Sequence, residues 1–184
     1  MALVTSDEQD EAHLYYRIDD VNLRDGGKLL VRNPNSSVLQ NIQTNYLGAG
    51  GTGRLKYSFV DFDLDGRQDL LLGTSGYHSV PSNTSGVPAC ASGKCGNNGA
   101  TILLMRQSDA QHGNQLVFEW PEWITVNGSR VSYGGQELGV APFDTGDGKV
   151  SLILATPGGR HVFWRAADIS TSKHEPPIKT DDKL

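Results

Sequence analysis

Tyr57-Ser-Phe-Val-Asp-Phe-Asp-Leu-Asp-Gly-Arg-Gln-Asp-Leu-Leu-Leu-Gly-Thr-Ser-Gly76 returns in degenerate form as Gly139-Val-Ala-Pro-Phe-Asp-Thr-Gly-Asp-Gly-Lys-Val-Ser-Leu-Ile-Leu-Ala-Thr-Pro-Gly158, with Asp65-Gly66 falling on Asp147-Gly148. An internal repeat outranks any single propensity, because it supplies the unit from which the architecture is built. In each copy a short apolar run meets an Asp-Gly turn, and a second run, Leu70 to Leu72 or Leu152 to Leu154, leaves it. Each copy then leads through a Gly-rich loop into an apolar strand ending in Arg, residues 100–106 and 161–165. The unit is therefore strand, turn, strand, loop, strand, and residues 116–120 are the candidate outer fourth strand of the first copy. Four antiparallel strands per repeat is the pattern of a propeller blade, and two similar hairpins in a sandwich are the plainer alternative.

Outward from the repeat, apolar and β-branched runs recur between Gly, Asn, Asp and Pro clusters, and almost nothing has helical spacing. The chain reads as all-β, with strands expected at 13–18, 28–31, 55–61, 69–74, 100–106, 116–120, 130–133, 138–143, 150–156 and 161–165. Residues 1–12, acidic and aperiodic, and residues 170–184 read as tails, leaving 13–169 as a propeller segment with blade repeats near 55–120 and 130–169.

Composition narrows the partners. The 184 residues carry 21 Asp and Glu against 16 Lys and Arg, a net charge of −5. This balance lacks the basic stripe that a phosphate backbone needs, so nucleic acid is not expected. No run approaches the roughly 18 apolar residues of a membrane span. The 22 Gly, well above the usual share of about 7%, fit many turns between short strands.

Asp61-Phe-Asp-Leu-Asp-Gly-Arg-Gln-Asp69 places carboxylates at positions 1, 3, 5 and 9 of a loop whose sixth residue is Gly. Ca²⁺ takes six to eight oxygens, and alternate residues of a tight loop can turn their carboxylates to one centre. Asp61, Asp63, Asp65 and Asp69 are the expected side-chain ligands, with the Arg67 backbone carbonyl at position 7 and Gly66 supplying the positive φ of the turn. Four converging carboxylates without a cation would repel one another. The loop begins like an EF-hand but has Leu72 where the twelfth-position Glu belongs, and strands flank it. The second copy has Phe143, Thr145 and Ser151 at ligand positions, so it is expected to be a turn that binds no metal.

The run Phe59-Val-Asp-Phe-Asp-Leu-Asp-Gly-Arg-Gln-Asp-Leu-Leu-Leu-Gly73 resembles the FG-GAP or VCBS repeat, whose blades carry a calcium loop between their first two strands. The match covers about 20 residues and weakens to the degenerate second copy. The wider run, from Leu47-Gly-Ala-Gly-Gly to Phe163-Trp-Arg-Ala-Ala-Asp-Ile169, looks like the C-terminal blades of secreted bacterial propellers, some of which are polysaccharide lyases of the ulvan-lyase type while others only bind. The resemblance implies a ring of about seven blades, of which two to three are visible here. The other blades would come from a parent chain or from other copies of this one. It also implies a secreted or periplasmic protein that meets a polysaccharide or cell-surface glycan. The N-terminus itself has no secretory signal, so it reads either as cytoplasmic or as the start of a mature form or a piece.

If the protein is a lyase, removing a proton beside a uronic carboxylate needs a base and a charge-neutralising cation. Residues 76–99, which interrupt the first copy where the second has only a turn, contain Tyr77 and His78, the catalytic candidates. Arg54 and Arg130 are distant candidates for charge neutralisation. The plain alternative is a surface loop whose Tyr and His merely pack. Cys90 and Cys95 permit a local disulfide, two free thiols or a zinc site with His78. Trp120 and Trp123 could stack on sugars, though Trp in a β protein is more often core. Asn35, Asn83 and Asn127 begin glycosylation sequons. Two functional classes stay open: a polysaccharide lyase acting by β-elimination, placed first, and a non-catalytic binding or adhesion module.

Overall fold

A computed structural model describes residues 2–6, 12–34, 37–41, 56–73, 101–109, 112–113, 115–131, 138–156 and 159–173. In chain order the strands are β1 (Ala2–Ser6), β2 (Ala12–Arg17), β3 (Leu23–Lys28), β4 (Leu30–Arg32), β5 (Leu39–Asn41), β6 (Lys56–Val60), β7 (Asp69–Gly73) and β8 (Ile102–Met105). They continue as β9 (Val117–Glu119), β10 (Glu122–Val126), β11 (Ser129–Arg130), β12 (Gly139–Asp144), β13 (Val150–Thr156), β14 (Arg160–Trp164) and β15 (Ile169–Lys173). A 3₁₀ turn, Ala166–Asp168, precedes β15, and no α-helix forms among the described residues. The all-β class expected from the sequence is what the chain adopts.

Both copies of the repeat fold alike at the level of three strands. The first gives the antiparallel run β6-β7-β8, with Ser58 opposite Leu71 and Leu71 opposite Leu104. The second gives β12-β13-β14, with Ala141 opposite Ile153 and Ile153 opposite Phe163.

The sheet containing β6, β7, β8 and β10 lies between two apolar cores. Strand side chains alternate faces. Leu70, Leu72, Leu103, Met105 and Trp123 accordingly join Leu14, Val31 and Phe118 in one core. Leu71, Ile102, Leu104 and Ile124 join Val140, Leu152 and Leu154 in the other. This double burial explains the unbroken apolar runs at 70–72 and 102–105, since a strand covered on both faces has no solvent side to be polar. The layers approach closely at Gly73, where a Cβ would lie 1.9 Å from the Leu138 carbonyl oxygen. Beside it Ser58 Oγ donates to the Val140 carbonyl at 2.7 Å.

Three expectations are corrected. Residues 1–12 are not all tail: β1 pairs antiparallel with β2, Val4 opposite Leu14. Likewise residues 170–173 belong to the sheet, because β15 pairs with β10 from Ile169 opposite Val126 to Lys173 opposite Glu122. Both segments are polar or short, so their periodicity is weak, and it is backbone pairing with a distant strand that orders them. The third correction concerns the candidate fourth strand at 116–120, which is bent rather than straight. Gln107 bridges antiparallel to Phe118, and Leu104 and Leu103 then pair with Glu122 and Trp123, so the neighbour of β8 starts as β9 and continues as β10. Pro121, which has no N–H to give a ladder, sits at the break. Beyond the break the two halves take different outer partners: β9 pairs parallel with β4, while β10 takes β15. Among the described residues no closed ring and no separate four-stranded blade is formed.

Candidate metal centre

The turn between β6 and β7 gathers carboxylates because its backbone is folded by those same side chains. Asp61 Oδ1 accepts from the Asp65 N–H at 2.9 Å and its Oδ2 from the Gly66 N–H at 3.0 Å. Asp65 Oδ1 accepts from the Arg67 N–H at 2.8 Å. Gly66 takes φ 87° as expected, and Leu64 joins it in the left-handed region at φ 62°. That conformation is costly for a branched side chain. The result brings one carboxylate oxygen from each of Asp61, Asp63 and Asp65 within 4.8 Å of one another.

Asp69 stands apart from that trio. It is buried, with 1% of its surface exposed. Its Oδ2 accepts from the Phe62 N–H at 3.1 Å and its Oδ1 from the Gln107 N–H at 2.9 Å. The carboxylate thereby ties the start of the turn to the end of β8. Burial raises its pKa above the ordinary carboxylate value, against the lowering effect of the two backbone donors. Asp63 raises it further by repulsion, and Arg106 lowers it. Replacing Asp69 by Ala leaves two backbone donors without their acceptor, at about 1–3 kcal/mol for each buried group. The expected outcome in chemical denaturation is a loss of about 2–6 kcal/mol, with Asp69→Asn less severe because it retains one acceptor oxygen. If Asp69 only closes the turn, the Asn variant still gains stability from added Ca²⁺; if Asp69 is a direct ligand, most of that gain disappears.

Four residues at this site went unnoticed in the sequence. Arg106 Nη1 donates to Asp63 Oδ2 at 2.5 Å, and its Nε lies 3.5 Å from Glu122 Oε2. Arg67 pairs through its guanidinium with both Asp65 and Asp109. Gln107 accepts through Oε1 from the Gln68 N–H at 3.2 Å. The available signal was the Arg that ends the apolar strand of each copy, and nothing local shows that it folds back to the loop. Asp61, Asp63, Asp65, Asp69, Asp109 and Glu122 together outweigh Arg67 and Arg106, leaving an excess of negative charge that a divalent cation would offset.

The donor set fits a hard cation: oxygen ligands only, from a turn whose conformation is fixed by its own hydrogen bonds. The two guanidiniums also set a limit, since each engages a carboxylate the ion would use and must yield an oxygen to it. In the second copy Asp147 Oδ1 accepts instead from Thr145 Oγ1 at 2.7 Å and the Lys149 N–H at 3.2 Å. Those bonds hold its pKa below the ordinary value, the Thr145 hydroxyl contributing most. Asp144 Oδ1 accepts from the Gly146 N–H at 2.7 Å, and among the described residues no group of three carboxylates gathers at this turn.

Trp123 is buried at 5% exposure in the first core, and Trp120, partly buried, packs against that core. Tyr77, His78, Arg54, Cys90 and Cys95 lie outside the described residues, as do Asn35 and Asn83. Arg130 sits on β11, after the Asn127-Gly128 turn, both of whose residues have positive φ. Among the described residues no helix is long and apolar enough to cross a membrane. Comparison with protein-family models, curated proteins and solved structures finds no match for this chain.

Proposed function

We propose that this chain is a calcium-binding β-propeller segment of the FG-GAP/VCBS type in a secreted or periplasmic carbohydrate-active protein. The convergence of Asp61, Asp63 and Asp65 at the β6–β7 turn carries the reading. Support for the repeat architecture comes from the two copies lying face to face across one core. A partly exposed loop of few carboxylates suits the weak calcium sites of extracellular modules, with Kd near 10⁻⁴–10⁻³ M, where the ion is abundant.

When bound, Ca²⁺ supplies positive charge and oxygen coordination. Asp61, Asp63 and Asp65 hold it, and Asp69 anchors their turn to β8. The role proposed for the ion is a staple of the β6–β7 turn, since its ligands are the carboxylates that shape that turn. Within the intact protein, the proposal places polysaccharide lyase activity on Tyr77 and His78. A non-catalytic module that binds glycan or protein is the alternative.

Calcium that binds the native turn alone stabilises the fold by RT ln(1 + [L]/Kd), about 2.7 kcal/mol at one hundred times Kd. Thermal melts are expected to rise with calcium and fall back with chelator. Asp63→Ala with Asp65→Ala should lose the response. A parent protein indifferent to calcium, or a double variant that responds as strongly as the parent, would overturn the proposal.

A further inference from the structure

Both guanidiniums beside the β6–β7 turn are shared between a carboxylate of the metal trio and one outside it. Arg106 Nη1 donates to Asp63 Oδ2 at 2.5 Å, while its Nε stands 3.5 Å from Glu122 Oε2. Arg67 holds Asp65 and, outside the trio, Asp109. The two outside carboxylates differ. Asp109 is 83% exposed, so water can serve it as well as a guanidinium does. Glu122 Oε2 is shut off from solvent and accepts no hydrogen bond among the described residues, with Arg106 just beyond bonding distance. A buried acceptor left in that state is costly. Strand register keeps the pair together, because Arg106 lies two residues beyond Leu104, which stands opposite Glu122 across β8 and β10. The Arg106 guanidinium also lies over the Phe62 ring, 5.8 Å from its centroid, which keeps it beside the turn.

Resting on the calcium reading above, we infer that Arg106 is a displaceable internal counterion: Ca²⁺ arriving at Asp63 drives the guanidinium off that carboxylate and fully onto Glu122, so that filling the turn also ties β8 to β10. Asp63 cannot serve both cations through one oxygen, and like charges a few ångströms apart repel. The exchange leaves neither carboxylate without a cation. The ion replaces Arg106 at Asp63, and Arg106 supplies the donor that Glu122 Oε2 lacks. Such an exchange also selects the ion by charge. A monovalent cation brings no more charge than the guanidinium it must displace, whereas a divalent one brings twice as much, so Na⁺ and K⁺ are disfavoured. Arg67 has the exposed Asp109 to move to, so it opposes the ion as a charge and gains nothing comparable from the move.

Calorimetric titration of the full chain with calcium chloride reads the exchange. Arg106→Met should bind calcium about tenfold more tightly than the parent, because the ion no longer breaks a charge-assisted hydrogen bond. Glu122→Gln should weaken binding about threefold in the parent and change it little in the Arg106→Met background, a non-additivity that a neighbouring charge alone does not produce. Arg67→Met should also tighten binding, and additively with Glu122→Gln. In the unsubstituted chain the Arg106 Nε–H resonance should shift as calcium is added, which tests the transfer without relying on a variant to fold. Equal affinity of the parent and Arg106→Met, additive effects of Arg106→Met and Glu122→Gln, or an unmoved Arg106 resonance at calcium saturation would overturn the exchange and leave the calcium site standing. Absence of calcium binding in the parent and in Arg106→Met alike would overturn both.

Discussion

Phe118→Ala is expected to destabilise the chain by about 3–5 kcal/mol, the range for emptying a large aromatic site in a core that closes only partly. Phe118 has no exposed surface and is among the largest side chains so enclosed. It lies where three segments meet. Its strand β9 pairs parallel with β4, Val31 opposite Phe118, and Phe118 itself bridges to Gln107 beyond the end of β8. Backbone bonds from Ser108 N to the Val117 carbonyl and from Glu119 N to the Arg106 carbonyl, each 2.8 Å, hold it there. Urea denaturation measures the effect. If Phe118 faced solvent, the loss would stay at about 0.5 kcal/mol, typical of surface positions. Because Arg106 sits beside this bridge, the variant should also weaken the calcium response, whereas Leu154→Ala in the other core should spare it.

His78→Ala and Tyr77→Phe are expected to lower turnover of a uronate-containing polysaccharide by 10²–10⁴-fold, the usual worth of a general acid or base. That range corresponds to about 3–5 kcal/mol of barrier. In the β-elimination proposed, the base takes the C5 proton, the acid gives a proton to the departing O4, and the electron pair left at C5 becomes a C4–C5 double bond. Conjugation with the carboxylate gives each product an ultraviolet absorbance, so the reaction is followed without knowing the sugar sequence. The assay calls for the intact protein proposed to carry this chain, run with and without added calcium. Polysaccharide binding should survive both substitutions. Binding without unsaturated product, across a broad panel of acidic polysaccharides, would remove the lyase assignment and leave the calcium-stapled binding module.

Some of what the sequence offered was local and therefore easily read. The Asp61 to Asp69 spacing fixes a turn because each carboxylate reaches backbone donors only a few residues away, as Asp61 does at Asp65 and Gly66. Asn127-Gly128 is equally local: both residues adopt the positive φ of a hairpin turn joining β10 to β11. Strand β3, Leu-Arg-Asp-Gly-Gly-Lys, was illegible because Gly and charge disfavour a strand, and its register is set by β2 with a shift between Leu14 and Tyr15.

By itself, then, the sequence determined the all-β class, the repeated strand-turn-strand unit and a turn able to gather three carboxylates, because each depends on periodicity or spacing within some twenty residues. Only the tertiary structure decided which partner covers each face and edge. Leu70, Leu71 and Leu72 are alike as letters, but alternate side chains enter different cores, and nothing in a run that is apolar on both faces says what lies on either side. The same holds for polar groups. Asp69 became the anchor of the turn because Gln107, far along the chain, brought a buried N–H to it, and Arg106 became the neighbour of Asp63 because β8 runs back beside β7. Such contacts join residues about forty positions apart, and the free energy that selects them comes from burying whole layers together, which no local window contains.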